Sequence, residues 1–387
     1  MRSRLLTLEM SPQKIVKVGI IGGGLMGREL LALVGRWDAL LDHPVRPVIT
    51  AIADTSDAVR EFFTNAGVAE SYSDYKQLLV SPNVDVVYIA VPHNLHEEIY
   101  IATINSGKDF LGEKPFGIDL AAAEKIAAAL VGKPNFVRVS SELPFYPGAQ
   151  AAIREVQTGN LGEIVEVRSG LLHSSDIDRK KKINWKRQRK FCGDIGVLGD
   201  LGMHAAHIPL RLGYAPTRVF AVLDDIVTHR ENPAGEQVPC DTFDNAVLVM
   251  RAKNSGNDRE FPMYWEMKRI APGESNTFFF SAIGMTGGVR FSTKNPAVYH
   301  TFALRNGEQV WSEIQPGHIT NWPVITGHIF EFGFPDSLLQ MWAAYFAERE
   351  GKLGDRFSCA TVAEVVHSHK VFAAAIKSHD SHSEISI

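Results

Sequence analysis

Val18-Gly19-Ile20-Ile21-Gly22-Gly23-Gly24-Leu25-Met26-Gly27 is an apolar run that breaks into closely spaced glycines and then resumes. The residues over 16–21 predict a buried strand, and those after Gly27 a helix. In a turn between them, Gly22 permits a tight reversal, Gly24 lets the backbone approach a pyrophosphate, and Gly27 lets the helix pack on the strand. The helix start, with Leu25 and Met26 in its first turn, offers unpaired N–H groups and a positive dipole to phosphate. Glycine-rich turns are common, so context decides. Here the strand-turn-helix context is present, and Asp54 ends a second strand over 47–53. Its carboxylate can accept hydrogen bonds from ribose hydroxyls. A 2′-phosphate at ~4 Å would be repelled by about 4 kcal/mol at an effective dielectric near 20, and no arginine lies between Asp54 and Arg60. The pattern predicts NAD rather than NADP.

Outward from this turn, residues 15–140 alternate short β-branched runs with amphipathic stretches, which predicts a Rossmann doubly wound parallel sheet. From 141 to 377 the character changes. Strand-like runs cluster over 164–172, 219–223, 245–250, 263–267, 278–283 and 298–304, predicting an α+β domain with a large, mostly antiparallel open sheet. Helices are expected over 200–212, 338–349 and 361–376. Residues 1–14 read as a disordered leader and 378–387 as a frayed polar tail.

Composition narrows the function classes. The chain has 387 residues, 45% hydrophobic and 22% charged, with a net charge of -4. That balance argues against a nucleic-acid or anionic-membrane binder. No apolar run reaches the ~20 residues that span a bilayer. The amino terminus lacks a secretory signal, and Cys192, Cys240 and Cys359 are scattered, as in a reducing compartment, so a cytoplasmic protein is expected. His367, His369, His379 and His382 form no ligand set, and no metal is predicted. A basic run, Arg179-Lys180-Lys181-Lys182 and Lys186-Arg187-Gln188-Arg189-Lys190, reads as a solvated loop, with a flap over an active site as an alternative.

Chemistry concentrates in three places. On the helix expected over 200–212, Asp200 and His204 are i and i+4 and share a face, so a carboxylate can orient an imidazole as general base. Lys114, between Glu113 and Pro115, reads as a placed cation able to stabilise a developing alkoxide. His173 and Trp185 are weaker candidates for contact with a sugar's hydroxyls and apolar face.

Five motifs in order resemble the Gfo/Idh/MocA superfamily: the glycine turn, Val91-Pro92-His93-Asn94-Leu95-His96, Glu113-Lys114-Pro115, Gly159-Asn160-Leu161-Gly162-Glu163-Ile164 and Leu198-Gly199-Asp200-Leu201-Gly202-Met203-His204. The resemblance implies a Rossmann domain followed by a domain whose open sheet mediates homodimer or homotetramer formation. It further implies NAD(P)-linked oxidation or reduction at a secondary hydroxyl or ketone of a sugar, glycoside or cyclitol. Lys114, Asp200 and His204 would surround the reacting oxygen, while Pro92, Asn94, His96 and Glu113 would line the nicotinamide half of the groove. Two alternatives within the superfamily are redox-assisted glycoside cleavage with tightly bound NAD and a non-catalytic sensor. The chain departs from the pattern at Asp194-Ile195-Gly196, at His207, and at Glu142-Leu143-Pro144-Phe145-Tyr146-Pro147, where an Asn-x-Arg-like motif is usual.

Overall fold

The computed structural model describes residues 13–254, 257–317, 319–327 and 330–387. Six strands build the first sheet: β1 (Lys14–Ile21), β2 (Val45–Ala53), β3 (Glu70–Tyr72), β4 (Val86–Ile89), β5 (Asp109–Gly112) and β6 (Val137–Val139). They run parallel in the order β3-β2-β1-β4-β5-β6. Val18, Ile20, Val86, Val87 and Ile89 are fully buried, because helices cover both faces of a parallel sheet. Those helices are α1 (Leu25–Val34), α2 (Asp57–Asn65), α3 (Tyr75–Val80), α4 (His96–Asn105) and α5 (Leu120–Leu130). Side chains of Ser56, Asp74 and Asp119 cap α2, α3 and α5 by accepting a backbone N–H.

The chain then forms α6 (Pro147–Gln157), β7 (Ile164–His173), α7 (Arg189–Cys192), α8 (Gly196–Arg211) and β8 (Tyr214–Asp224). A small hairpin of β9 (His229–Glu231) and β10 (Gln237–Pro239) precedes β11 (Asn245–Asn254), β12 (Asn257–Lys268), β13 (Asn276–Gly284), β14 (Gly287–Ser292), β15 (Tyr299–Arg305) and β16 (Glu308–Ile314). Two helices, α9 (Phe334–Arg349) and α10 (Val362–Ser381), and a last strand, β17 (Ile385–Ser386), complete it. The nine-stranded sheet has the order β16-β15-β14-β13-β7-β12-β11-β8-β17, with only the β7–β12 pair parallel. In β11, Ala246, Leu248, Met250 and Ala252 are buried while Val249 on the other face is exposed. This alternation marks a sheet covered on one side by α8 and α10.

The expected fold class is observed, with some differences in the elements. Helix α8 begins a turn earlier than its glycines suggest. Low glycine propensity is overridden because a Cβ at Gly199 or Gly202 would overlap Ile195 or Phe372, so close packing selects the residue. The expected tail over 378–387 is ordered. Helix α10 runs to Ser381, and Ile385 and Ser386 pair with Val219 and Arg218 of β8, placing Ile385 against the core. The apolar Ile385 and Ile387 among polar neighbours are the reason. The expected leader lies outside the described residues up to 12, while Lys14 already belongs to β1 and pairs with Glu350 at 2.8 Å.

The C-terminal helices return to the Rossmann layer, where α10 packs on α5 and Val139 bridges to Ala360. The loop between α7 and α8 is also fitted closely to that layer. Gly193 has φ +70°, and a Cβ there would overlap the Ile118 carbonyl oxygen. Gly193→Ala is expected to cost about 2 kcal/mol or more through combined backbone strain and overlap. Thermal unfolding of the variant checks this, and an unchanged melting temperature would count against the close fit.

Candidate active site

The carboxyl ends of β1, β2, β4, β5 and β6 open onto a cleft of about 1020 Å³, closed on the far side by α8 and β7. This is where a doubly wound sheet binds its ligand. Gly22, with φ +92°, turns the chain at the end of β1, and a Cβ there would overlap the Ala90 carbonyl oxygen. Gly27 packs against Gly22 in the same manner. Gly24 differs, because a Cβ there would meet no atom within 4 Å. It borders the cleft at the start of α1, whose first turn has neither a side-chain cap nor an acidic residue. Space and unpaired N–H groups therefore coincide where a pyrophosphate would bind. Leu25 and Met26 line the same rim.

Asp54 follows β2 and its carboxylate accepts N–H bonds from Gly23 and Ser56, both at 2.9 Å. The nearby Arg60 is committed elsewhere, donating to the Asp54 carbonyl oxygen at 2.6 Å and pairing with Asp57. A ribose therefore meets a carboxylate rather than a free cation. The residues present fit NAD, as expected.

At the other end of the cleft, a buried carboxylate gathers three cations. Lys114, just beyond β5, donates to the Asp200 carbonyl oxygen at 2.7 Å and to Asp200 Oδ1 at 3.1 Å. Lys186 donates to the same Oδ1 at 2.9 Å, and Arg269, following β12, lies 3.4 Å from Oδ2. Burial alone would raise the Asp200 carboxyl, but Lys186, Lys114 and Arg269 outweigh it and hold the group well below the carboxylate range. Conversely, the cost of burying Lys114 is outweighed by Asp200, Glu113 and Glu142, so this amine stays protonated.

Asp200 thus differs from its expected role. Its carboxylate is occupied by cations, and His204 Nδ1 has no hydrogen-bond partner. His204 lines the cleft one turn along α8. Burial first, and the Lys114 charge next, hold its imidazole well below the usual value, so it is neutral near pH 7. A neutral imidazole and an ammonium thus border the same part of the cleft.

The other expected residues divide into two groups. Pro92, Glu113, His173 and Trp185 line the cleft. Glu113 accepts a hydrogen bond from the buried Tyr88 hydroxyl at 2.6 Å, and burial lowers His173 to about 4. Asn94 is exposed instead, and His96 is fully buried behind the wall, its ring nitrogens 2.6 Å from Pro115 O and 3.0 Å from Val91 O. The reason is local. Residues His93–Leu95 form a short 3-10 turn, which rotates Asn94 outward and brings His93 to the cleft, edge-on to Trp185 at 4.7 Å.

Lys186, His93 and Glu142 also line the cleft, and the buried Arg269 stands behind it against Asp200, although no sequence motif marks any of the four as site residues. The expected solvated loop is in fact anchored. Arg187 is fully buried, pairs with Asp244 and donates to Val227 O at 3.0 Å, while Lys181 pairs with Asp176 at 2.8 Å. That anchor places Trp185 and Lys186 over the cleft. Among the described residues, no three or more His, Cys, Asp or Glu side chains come together as a metal site, and no helix is long and apolar enough to cross a membrane.

Asp200 carries a specific linkage. Its folded-state carboxyl lies below the unfolded value of about 3.9, so its contribution to stability is present above that pH and is lost as pH falls towards the folded value. Asp200→Asn removes the one carboxylate that Lys114, Lys186 and Arg269 share, at an expected cost of about 3–5 kcal/mol near pH 7. Unfolding across acid pH checks both parts: the variant should melt lower at pH 7, and its gap from wild type should narrow in acid.

Comparison with known proteins identifies the family. Residues 16–141 match the family GFO_IDH_MocA, described as an oxidoreductase family with an NAD-binding Rossmann fold, and residues 149–289 match the GFO/IDH/MocA C-terminal domain. Levoglucosan dehydrogenase of Pseudarthrobacter phenanthrenivorans is 27% identical over 299 residues, which is 72% of this chain and 73% of that enzyme. A structure of levoglucosan dehydrogenase in complex with NADH superposes with a TM-score of 0.86 at 23% identity, over 97% of this chain and 99% of the other. An inositol dehydrogenase homolog from Azotobacter vinelandii, complexed with NAD+, gives 0.78 at 18% identity, over 97% and 98%. The chain belongs to the Gfo/Idh/MocA family of NAD-binding oxidoreductases.

Proposed function

We propose that this enzyme transfers a hydride between NAD and a secondary hydroxyl or ketone of a sugar, glycoside or cyclitol. The observation that carries this is the junction of Lys114, Asp200 and a neutral His204 in one cleft with the glycine turn. NAD, when bound, supplies the hydride acceptor for the carbinol carbon. His204 takes the hydroxyl proton in the oxidative direction. The Lys114 ammonium lies beside the reacting oxygen and stabilises the negative charge that develops there. Asp200 acts through Lys114, fixing its amine with two hydrogen bonds, and is a positioning residue. Trp185 offers an apolar face and His173 a polar edge to a ring bearing hydroxyls.

The similarity to levoglucosan dehydrogenase supports a sugar as the substrate class. Phe220, Val222 and Val249 are exposed on the open face of the nine-stranded sheet, where Val249 pairs with Phe220. This apolar face supports assembly as a homodimer or homotetramer.

Incubation with NAD and a panel of levoglucosan, other sugars, sugar acids and inositols should produce NADH from at least one member. Lys114→Ala should lower kcat about 100-fold or more, while NADH affinity changes little. Absence of NADH from every member, or equal loss of turnover and cofactor affinity in the variant, would contradict the assignment.

A further inference from the structure

Glu142 follows β6 on the rim of the cleft and leads into a 3-10 turn, Leu143–Phe145. It is 7% exposed. Its backbone is fixed, since Phe145 N–H donates to Glu142 O at 2.9 Å and Gln150 Nε2 donates to Pro144 O at 2.7 Å. What separates it from the other cleft carboxylates is the lack of a donor. Asp54 holds two backbone N–H groups, Asp200 holds three cations, Glu113 holds the Tyr88 hydroxyl and Glu98 the Tyr75 hydroxyl. Among the described residues, no side chain or backbone group of another residue donates to the Glu142 carboxylate, and only its own N–H is near.

A carboxyl group held at such a position without partners is costly, and a ligand that brings donors removes the cost. We infer that Glu142 determines substrate specificity by accepting hydrogen bonds from hydroxyl groups flanking the carbon that is oxidised. This rests on polyol oxidation at the same cleft. The groups that face Glu142 fit a neutral donor. Glu113 and Lys114 stand beyond β5, Tyr88 lies on β4, Tyr146 opens α6, and Asp200 and His204 border the same cleft from α8. Burial, and next the Glu113 carboxylate, lift the Glu142 carboxyl to about 7. The segment lies where the family resemblance fails, at Glu142-Leu143-Pro144, which is where a substrate preference particular to this chain is expected.

The test compares wild type with Glu142→Leu, which removes the acceptor at similar volume, on the best polyol of the panel and on its deoxy analogues at the two carbons flanking the oxidised one, with NADH affinity measured for both proteins. Wild type should prefer the polyol over one deoxy analogue by about tenfold or more in kcat/KM, and the variant should lose most of that preference. KM should rise more than kcat falls, and NADH should bind both proteins alike, which also reports that the variant is folded. Undiminished discrimination in Glu142→Leu overturns the inference, as does a loss confined to NADH affinity, which would assign the carboxyl to the cofactor. A wild type that oxidises no polyol overturns the parent assignment and this one with it.

Discussion

One buried carboxylate organises the reactive half of this protein. Asp200 is almost completely enclosed, and an isolated charge there would cost several kcal/mol. It is retained because three cations reach it from separate parts of the chain: Lys114 from the Rossmann layer, Lys186 from an anchored loop, and Arg269 from the end of β12. The attraction works in both directions. Asp200 keeps Lys114 charged, and Lys114 helps burial keep His204 uncharged. A charged amine and an uncharged imidazole are thereby held in one cleft near neutral pH.

The cofactor half depends on a different constraint, the absence of side chains. Gly22 and Gly27 are fixed by the backbone around them, whereas Gly24 faces open space at the start of α1. Together with the occupied Asp54 carboxylate, this leaves one place with free N–H donors and another with a polar acceptor. A dinucleotide spans such a pair, with phosphates at the helix and ribose at the carboxylate.

How much of this could be read from sequence follows from range. The glycine turn, Asp54 and the alternating strands are local patterns, and the structure places each accordingly. Asp200 and His204 were legible because four residues make one helical turn. The partners of Asp200 were not, since Lys114 lies 86 residues away and Arg269 lies 69 away. Arg269 sits beyond a strand with no motif around it, and Lys186 was hidden in a run of basic residues that composition assigns to solvent. Which of His93, Asn94 and His96 faces the cleft depends on a detail that no local pattern carries, the 3-10 turn over His93–Leu95. The ordered chain end shows the opposite bias, because polar composition outweighed two isoleucines whose pairing partner lies on β8.

The cleft joins the glycine turn at one end to the Lys114–Asp200–His204 cluster at the other, and the proposed hydride transfer requires cofactor and cluster to meet at a single carbon. A crystal structure of the NADH complex tests this most directly. The nicotinamide ring is expected beside Glu113 and Lys114, with its C4 facing the His204 imidazole. A ring bound with C4 turned away from His204, or seated outside the space between Lys114 and α8, would contradict it.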